Sequence, residues 1–365
     1  MLTILIICTI LTLITTILPL SQNKHWIIRS MDFPRLQLML FALAVLIAIF
    51  VFLDTGKAVT LVMATVTAIC LIWQLWWILP YTPLWSKEVE FSKDANSERQ
   101  LSIITSNVLT PNRNVEALIA LVKKYQPDIL VTLESDLWWQ EQLKVLESEM
   151  PYTVKCPLDN LYGMHLYSKL PIHDSEISFL IEKDVPSIHV SIEMRTGDRV
   201  RAHFLHPAPP SPTENAESAE RDAELIAVAL SVANSDQPII VAGDLNDAAW
   251  SSTTRLFRKI SGLLDPRIGR GMFNTFHVKF PVSRWPMDHL FHSNHFKLCS
   301  IQRLPSIGSD HFPLFTSLSL TLLEDTSHKG LEAEDEDHEM AKKTVTEKGG
   351  NSNDVPQPNE NKKHF

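Results

Sequence analysis

Pro238-Ile239-Ile240-Val241-Ala242-Gly243-Asp244-Leu245-Asn246 is the stretch on which the reading of the fold turns. Its short apolar run reads as a strand, and Gly243 lets the backbone turn tightly where that strand ends. Asp244 and Asn246 then sit two apart and can address one point from a single loop. An aspartate there can orient or deprotonate a water, and an asparagine amide can donate to an anionic oxygen. A Gly-Asp turn held by Asx hydrogen bonds is the competing reading.

The same design, an apolar strand ending in polar residues, recurs on both sides. Upstream, Leu101–Val108 reads as a strand, Val115–Tyr125 as a helix by the spacing of Val115, Leu118, Ile119 and Val122, and Asp128–Leu133 as a second strand. A helix over 136–149 and strands near 162–168, 186–194 and 199–205 follow. After the turn Pro207-Ala208-Pro209-Pro210 comes a helix over 216–233. Downstream lie a helix near 252–261 and β-like runs around 273–280, 287–292, 298–304 and 312–320. Strands outnumber helices and the helices interrupt them irregularly. That predicts an α+β layered sandwich rather than a doubly wound parallel sheet.

Four further polar clusters stand at or near strand ends, where loops gather side chains above a rigid sheet. Asn107 closes the first strand, although asparagine often only makes a turn. Glu134 follows the second, either as a hard-oxygen ligand where Mg²⁺ can sit or as a surface carboxylate. His203 and His206 point to opposite faces of one strand, so at most one belongs to a site, and His206 at the terminus is preferred. Ser309-Asp310-His311-Phe312-Pro313 offers a carboxylate beside an imidazole. Asp288, in Met287-Asp288-His289-Leu290, can orient that imidazole.

Composition divides the 365 residues unevenly. Residues 1–85 are mostly hydrocarbon, with three apolar stretches at 2–20, 37–53 and 58–80 near the ~20 residues a helix needs to cross a bilayer. Trp73, Trp76, Trp77, Tyr81 and Trp85 suggest an interfacial aromatic belt at the end of the third. The first stretch lacks a basic n-region and a small-residue cleavage site, so it reads as an uncleaved helix. Residues 86–100 read as a linker, 101–323 as the soluble domain and 324–365 as a disordered polar tail with no chemistry. Cys156 and Cys299 read as two unremarkable thiols.

The net charge of −9 divides into +1 over residues 1–100, −5 over the middle and −5 over the tail. The broad basic surface of a tight nucleic-acid binder is lacking. Lys24, Arg29, Arg35, Lys87, Lys93 and Arg99 flank the spans on one side and Lys57 alone on the other. The positive-inside rule then puts the 21–36 connection and everything after residue 80 in the cytoplasm.

The order Asn107, Glu134, His206, Gly243-Asp244-Leu245-Asn246, Asp288 and Ser309-Asp310-His311 resembles the endonuclease/exonuclease/phosphatase superfamily across 101–323. The resemblance is to a membrane-anchored, bacterial-type member and implies an integral protein of a bacterial inner membrane. It also implies a four-layered, deoxyribonuclease I-like α/β sandwich hydrolysing phosphate esters with Mg²⁺ or Mn²⁺. On that resemblance Glu134 is the main metal ligand, with Asn107 alongside it and Asp310 completing the metal region. Asp244 aligns or deprotonates the attacking water, Asn246 holds the scissile phosphate, and His206 contacts it. His311, hydrogen-bonded to Asp288, binds or protonates a phosphoryl oxygen. The chain departs from many members in carrying Leu133 before the metal glutamate, and Tyr167-Ser168-Lys169-Leu170-Pro171 in the middle segment.

The expectation is therefore a membrane-tethered phosphohydrolase, acting on nucleic acid or on a lipid or inositol phosphate. The bilayer, held through residues 1–85, favours a substrate at its own surface. The alternative is a non-catalytic scaffold that keeps the fold and binds a phosphorylated partner. Deletion of 324–365 is expected to leave turnover unchanged.

Overall fold

The computed structural model describes residues 1–21, 23–93, 96–233, 235–321 and 330–357. Helices α1 (Leu2–Ile17), α2 (Trp26–Arg29), α3 (Arg35–Phe52) and α4 (Ala58–Ile78) come first. Among the described residues, Leu2–Leu20, Arg35–Phe52 and Ala58–Tyr81 are the three helical segments long and apolar enough to cross a membrane. Their bounds lie within two residues of the stretches expected from hydropathy. They pack through Leu5, Val45, Ile49, Met63 and Ala64, and turn Ile7, Phe50, Val62 and Ile72 outward. Polar side chains are paired inside the bundle, as Gln74 Nε2 is to Thr16 Oγ1 at 3.1 Å.

The remaining chain builds β1 (Gln100–Asn107), α5 (Val115–Tyr125), β2 (Ile129–Leu133), α6 (Leu137–Leu143), β3 (Tyr152–Cys156), β4 (Met164–Ser168), β5 (Ile172–Ser178), β6 (Ser187–Glu193) and β7 (Arg199–Leu205). It continues with α7 (Ala219–Val232), β8 (Ile239–Asp244), α8 (Ser252–Ser261), β9 (Asp288–His292), β10 (Phe296–Arg303), β11 (Leu314–Leu320) and α9 (Asp335–Glu347). Among the described residues these strands form two sheets, ordered β10-β11-β1-β2-β4-β3 and β5-β6-β7-β8-β9. Each holds a parallel pair, β1 with β2 and β7 with β8, and its other pairings are antiparallel.

Alternation explains the layering. Leu101, Ile103, Val131 and Leu318 of the first sheet face Val190, Ala202, Phe204 and Ile240 of the second in one buried core. The opposite faces are covered by helices. Val115, Leu118, Trp139 and Leu143 pack under the first sheet, and Leu225, Val228, Phe257 and Ile260 under the second. Helix, sheet, sheet and helix make the expected four-layered sandwich.

Four expectations are corrected. Residues 273–280 are not a strand. Phe276 pairs there only through isolated bridges to Trp285 and His311, because no sheet edge runs alongside. The helix expected over 136–149 stops at Leu143 and tightens into a 3₁₀ turn through Leu146. Residues 86–93 are not a free linker, since Val89 is wholly buried and Leu298 N donates to Glu90 O at 2.9 Å. The tail is not structureless over 335–347, where α9 sets Ala341 and Val345 against the α7–α8 layer. Residues 324–329 and 358–365 of that tail lie outside the described ones.

The apolar helices are docked on the sandwich rather than tethered to it. Trp26 N donates to Ala216 O at 3.0 Å, Trp250 Nε1 to Asp32 O at 2.9 Å and Gly269 N to Pro80 O at 2.8 Å. Ile78 and Tyr81 share a buried cluster with Ala248, Trp250 and Ile268.

Candidate active site

Topology gathers the strand-end residues. In the parallel pair β1/β2, Asn107 lies opposite Leu133, so Asn107 and Glu134 leave adjacent strands at the same rim. In the parallel pair β7/β8, Leu205 lies opposite Gly243, which brings His206 and Asp244 to the rim of the other sheet. Asp288 is in register with Asp244 across the antiparallel β8/β9 pair. The chain reaches β11 through Ser309–His311, and Leu314 pairs with Thr105 near the end of β1. Gly243 has a φ of 145°, and a Cβ there would come within 2.0 Å of Leu205 O, so no other residue fits.

The side chains meet as a connected set. Asn107 Nδ2 donates to Glu134 Oε1 at 2.7 Å and to Asp244 Oδ2 at 3.2 Å. His311 Nε2 lies 3.3 Å from the same Asp244 oxygen, and His311 Nδ1 lies 2.8 Å from Asp288 Oδ2. His206 Nε2 stands 3.8 Å from Asp244 Oδ2. Asn246, at a φ of 51°, donates its backbone N–H to Asp244 Oδ1 at 3.0 Å and one amide N–H to Pro207 O at 3.0 Å. Its second amide hydrogen can serve a ligand. Asp310 accepts from Ser309 Oγ at 3.3 Å and lies at the edge of the set.

Burial decides the electrostatics. It pushes the Asp244 carboxyl up, against the pull of His311. Burial alone would lower His311, but Asp244, Asp288 and Asp310 outweigh it and hold the imidazole well above its ordinary value. Glu134 is pushed up to about 7 by burial, opposed by the Asn107 hydrogen bond. His206 is pulled down to about 4 by burial, despite Asp244.

Asp244, Asp288 and His311 are the described side chains whose ligand atoms lie within 4.8 Å of one another and can hold a cation. Glu134 and Asp310, expected as metal ligands, fall outside that group. Both nitrogens of His311 already face carboxylates, which suits an imidazolium better than a ligand. Glu134 Oε2 and Asp288 Oδ1 are buried and lack a hydrogen-bond partner among the described residues. Such oxygens are costly in a closed protein and a cation would satisfy them, so the donor set fits a hard divalent metal.

Sequence reasoning missed the supports. Arg221, fully buried on α7, donates to Asn246 O at 2.7 Å and pairs with Asp247 at 3.3 Å, which pins the loop after β8. Thr110 Oγ1 holds Glu134 O at 2.8 Å. Tyr162 and Phe276 set their rings 5.4 and 4.9 Å from His206 and His311. Arg221-Asp222 inside an apolar helix was a legible signal, but nothing local names its partner. His203 turns away from the rim and meets His189 at 2.6 Å.

Residues 104–311 match the model of the Endonuclease/Exonuclease/phosphatase family. The chain belongs to this family. It is accordingly a phosphoesterase, and the buried Asp244–Asp288–His311 group suits metal-dependent hydrolysis. Comparison with curated proteins returns no match. Among solved structures, the human Nocturnin catalytic domain with bound sulfate is 17% identical, covering 61% of this chain and 95% of that one with a TM-score of 0.50. D. rerio TDP2 complexed with a single-strand DNA product is 18% identical over 61% of this chain and 100% of that one, TM-score 0.48. A family member from Bacteroides vulgatus is 16% identical over 60% and 99%, TM-score 0.48. The likeness to Nocturnin shows the shared sandwich.

Proposed function

We propose that this family member is an integral membrane phosphohydrolase that cleaves phosphate esters by in-line attack of water. Water oxygen bonds to phosphorus as the ester P–O bond breaks, Asp244 takes the water proton and later returns it to solvent, and the leaving oxygen takes a proton from solvent water. Burial raises the proton affinity of Asp244, which suits a base. Asn246, with one amide hydrogen unspent, donates to a phosphoryl oxygen. His311, kept cationic, turns its Nε2–H from Asp244 to another, while Asp288 holds its ring through Nδ1. His206 lines the phosphate from the β7 side. Glu134, with Asn107 and Asp310 beside it, would hold a divalent cation, Mg²⁺ or Mn²⁺, which would supply charge neutralisation on the phosphate.

The observation that carries the reading is the unbroken chain Glu134–Asn107–Asp244–His311–Asp288, built from both sheets at one rim. Residues 1–81 are read as three spans, with the catalytic domain on the cytoplasmic side of a bacterial inner membrane. The six-to-one bias of Lys and Arg supports that side.

The test is hydrolysis of bis-p-nitrophenyl phosphate by the whole chain in detergent with Mg²⁺ or Mn²⁺. Activity should vanish with EDTA, and Asp244→Asn should cost about a hundredfold or more. Activity indifferent to EDTA would overturn the metal assignment, and none in any metal would favour a scaffold.

A further inference from the structure

The loop after Phe276 joins the site to the apolar helices. Phe276 and Trp285 pair at its base, where Phe276 N donates to Trp285 O at 3.1 Å. On one side Phe276 lies 4.9 Å from the His311 ring, and Val278 N donates to Asp310 O at 2.8 Å. On the other, Trp285 meets Phe33 edge-on at 5.6 Å, two residues before α3 begins. Trp285 also packs in the cluster that holds Leu36, Trp77 and Trp85, and Gln37 of α3 donates to Val282 O. The catalytic histidine is thus three ring contacts, none longer than 6.3 Å, from the point where a candidate span starts.

The tip of the loop is Lys279-Phe280-Pro281-Val282-Ser283. Val282 is 77% and Phe280 59% exposed, which a loop in water has no reason to display side by side. Apolar tips beside cationic Lys279 and Arg284, on a loop whose base packs through Trp285 in the cluster of Trp77 and Trp85, are what an interfacial segment presents to headgroups and upper acyl chains.

We propose that residues 279–283 insert into the surface of the bilayer that α3 enters, and that the site takes its phosphate ester from the headgroup of a lipid in that bilayer. The inference rests on the membrane-anchored phosphohydrolase reading and adds its substrate class. A lipid whose tails stay in the membrane offers its phosphate at the level of the loop, beside His311. Phe280 and Val282 give the loop beside His311 an apolar tip rather than the run of cationic side chains that a nucleic-acid backbone needs.

The experiment uses the whole chain in phosphatidylcholine vesicles doped with phosphatidylglycerol, phosphatidic acid or a phosphoinositide. Bis-p-nitrophenyl phosphate and plasmid DNA are supplied in the aqueous phase. At least one vesicle-borne ester should be cleaved, and the double variant F280D/V282D should slow it by about tenfold or more. The same variant should leave bis-p-nitrophenyl phosphate turnover within about twofold, because neither side chain touches the reacting groups. Equal turnover of the lipid by parent and variant would overturn the proposal, as would cleavage of DNA with no lipid cleaved. If bis-p-nitrophenyl phosphate is also untouched, it is the catalytic reading that fails. A bimane on Val282→Cys, corrected for label on the four native cysteines, then decides the loop separately. Quenching by brominated lipid is expected, and its absence would overturn the insertion.

Discussion

At the residue scale, Glu134 and His311 behave differently because their surroundings differ. Glu134 keeps one oxygen on Asn107 and leaves the other buried and unpartnered, whereas His311 is already matched to two carboxylates. Glu134→Ala should therefore raise the metal concentration at half-activity by about tenfold or more, while His311→Ala lowers turnover with a smaller shift. Equal midpoints in the two titrations would contradict the assignment. On α7, one turn after Arg221, burial together with Glu182 pushes Glu224 up to about 8. Its carboxyl keeps a proton in the folded chain that the unfolded chain releases near 4.3. Stability should then decline as pH rises from about 4 through about 8. Glu224→Gln should melt above the parent at pH 8 and close to it at about pH 4, by thermal unfolding in detergent. Parallel profiles at all pH values would show that Glu224 ionises freely.

At the element scale, α9 is the clearest gain over the sequence. Its acidic first turn and exposed face look like a solvated tail, and its apolar positions are few. Folded, it is strapped to the second sheet's helices by Lys259–Asp337 at 2.7 Å and Lys348–Glu220 at 2.5 Å, and to the 21–36 connection by Lys24–Glu347 at 2.6 Å. Those solvent-reached pairs contribute little each, and burial of Val345 and Val355 contributes more. A chain ending at residue 330 should lose about 3 kcal/mol of stability yet keep the turnover of its folded fraction, since α9 does not touch the rim. A truncated chain with the parent's melting temperature would show that the contact is idle. The 273–280 run failed for the opposite reason. Its β-like composition is real, but a strand needs an edge to pair with, and the loop folds back on Trp285 instead.

At the scale of the whole molecule, docking of the 21–36 connection on residues 216–218 and 250 requires that it share a side with the catalytic domain. Three spans would deliver that arrangement, with Met1 and the 54–57 connection on the other face. In sealed vesicles, an impermeant maleimide should reach Thr55→Cys and Ser148→Cys from opposite sides. Labelling of both from one side would remove the three-span reading.

The amino-acid order by itself determined the apolar stretches, most strands and the polar residues that close them, because these are short-range properties of hydropathy and period. It even separated His206 from His203 by strand alternation. Only the tertiary structure decided which of those residues meet. Asn107 and Asp244 touch because two parallel strand pairs, one in each sheet, expose their C-terminal ends at one rim. Arg221 braces Asn246, and Phe276 links His311 to Trp285, through contacts across layers that no local pattern encodes. Pairing of distant segments is chosen by the packing of the whole core, so the chemistry was legible as a list of residues and the site only as a fold.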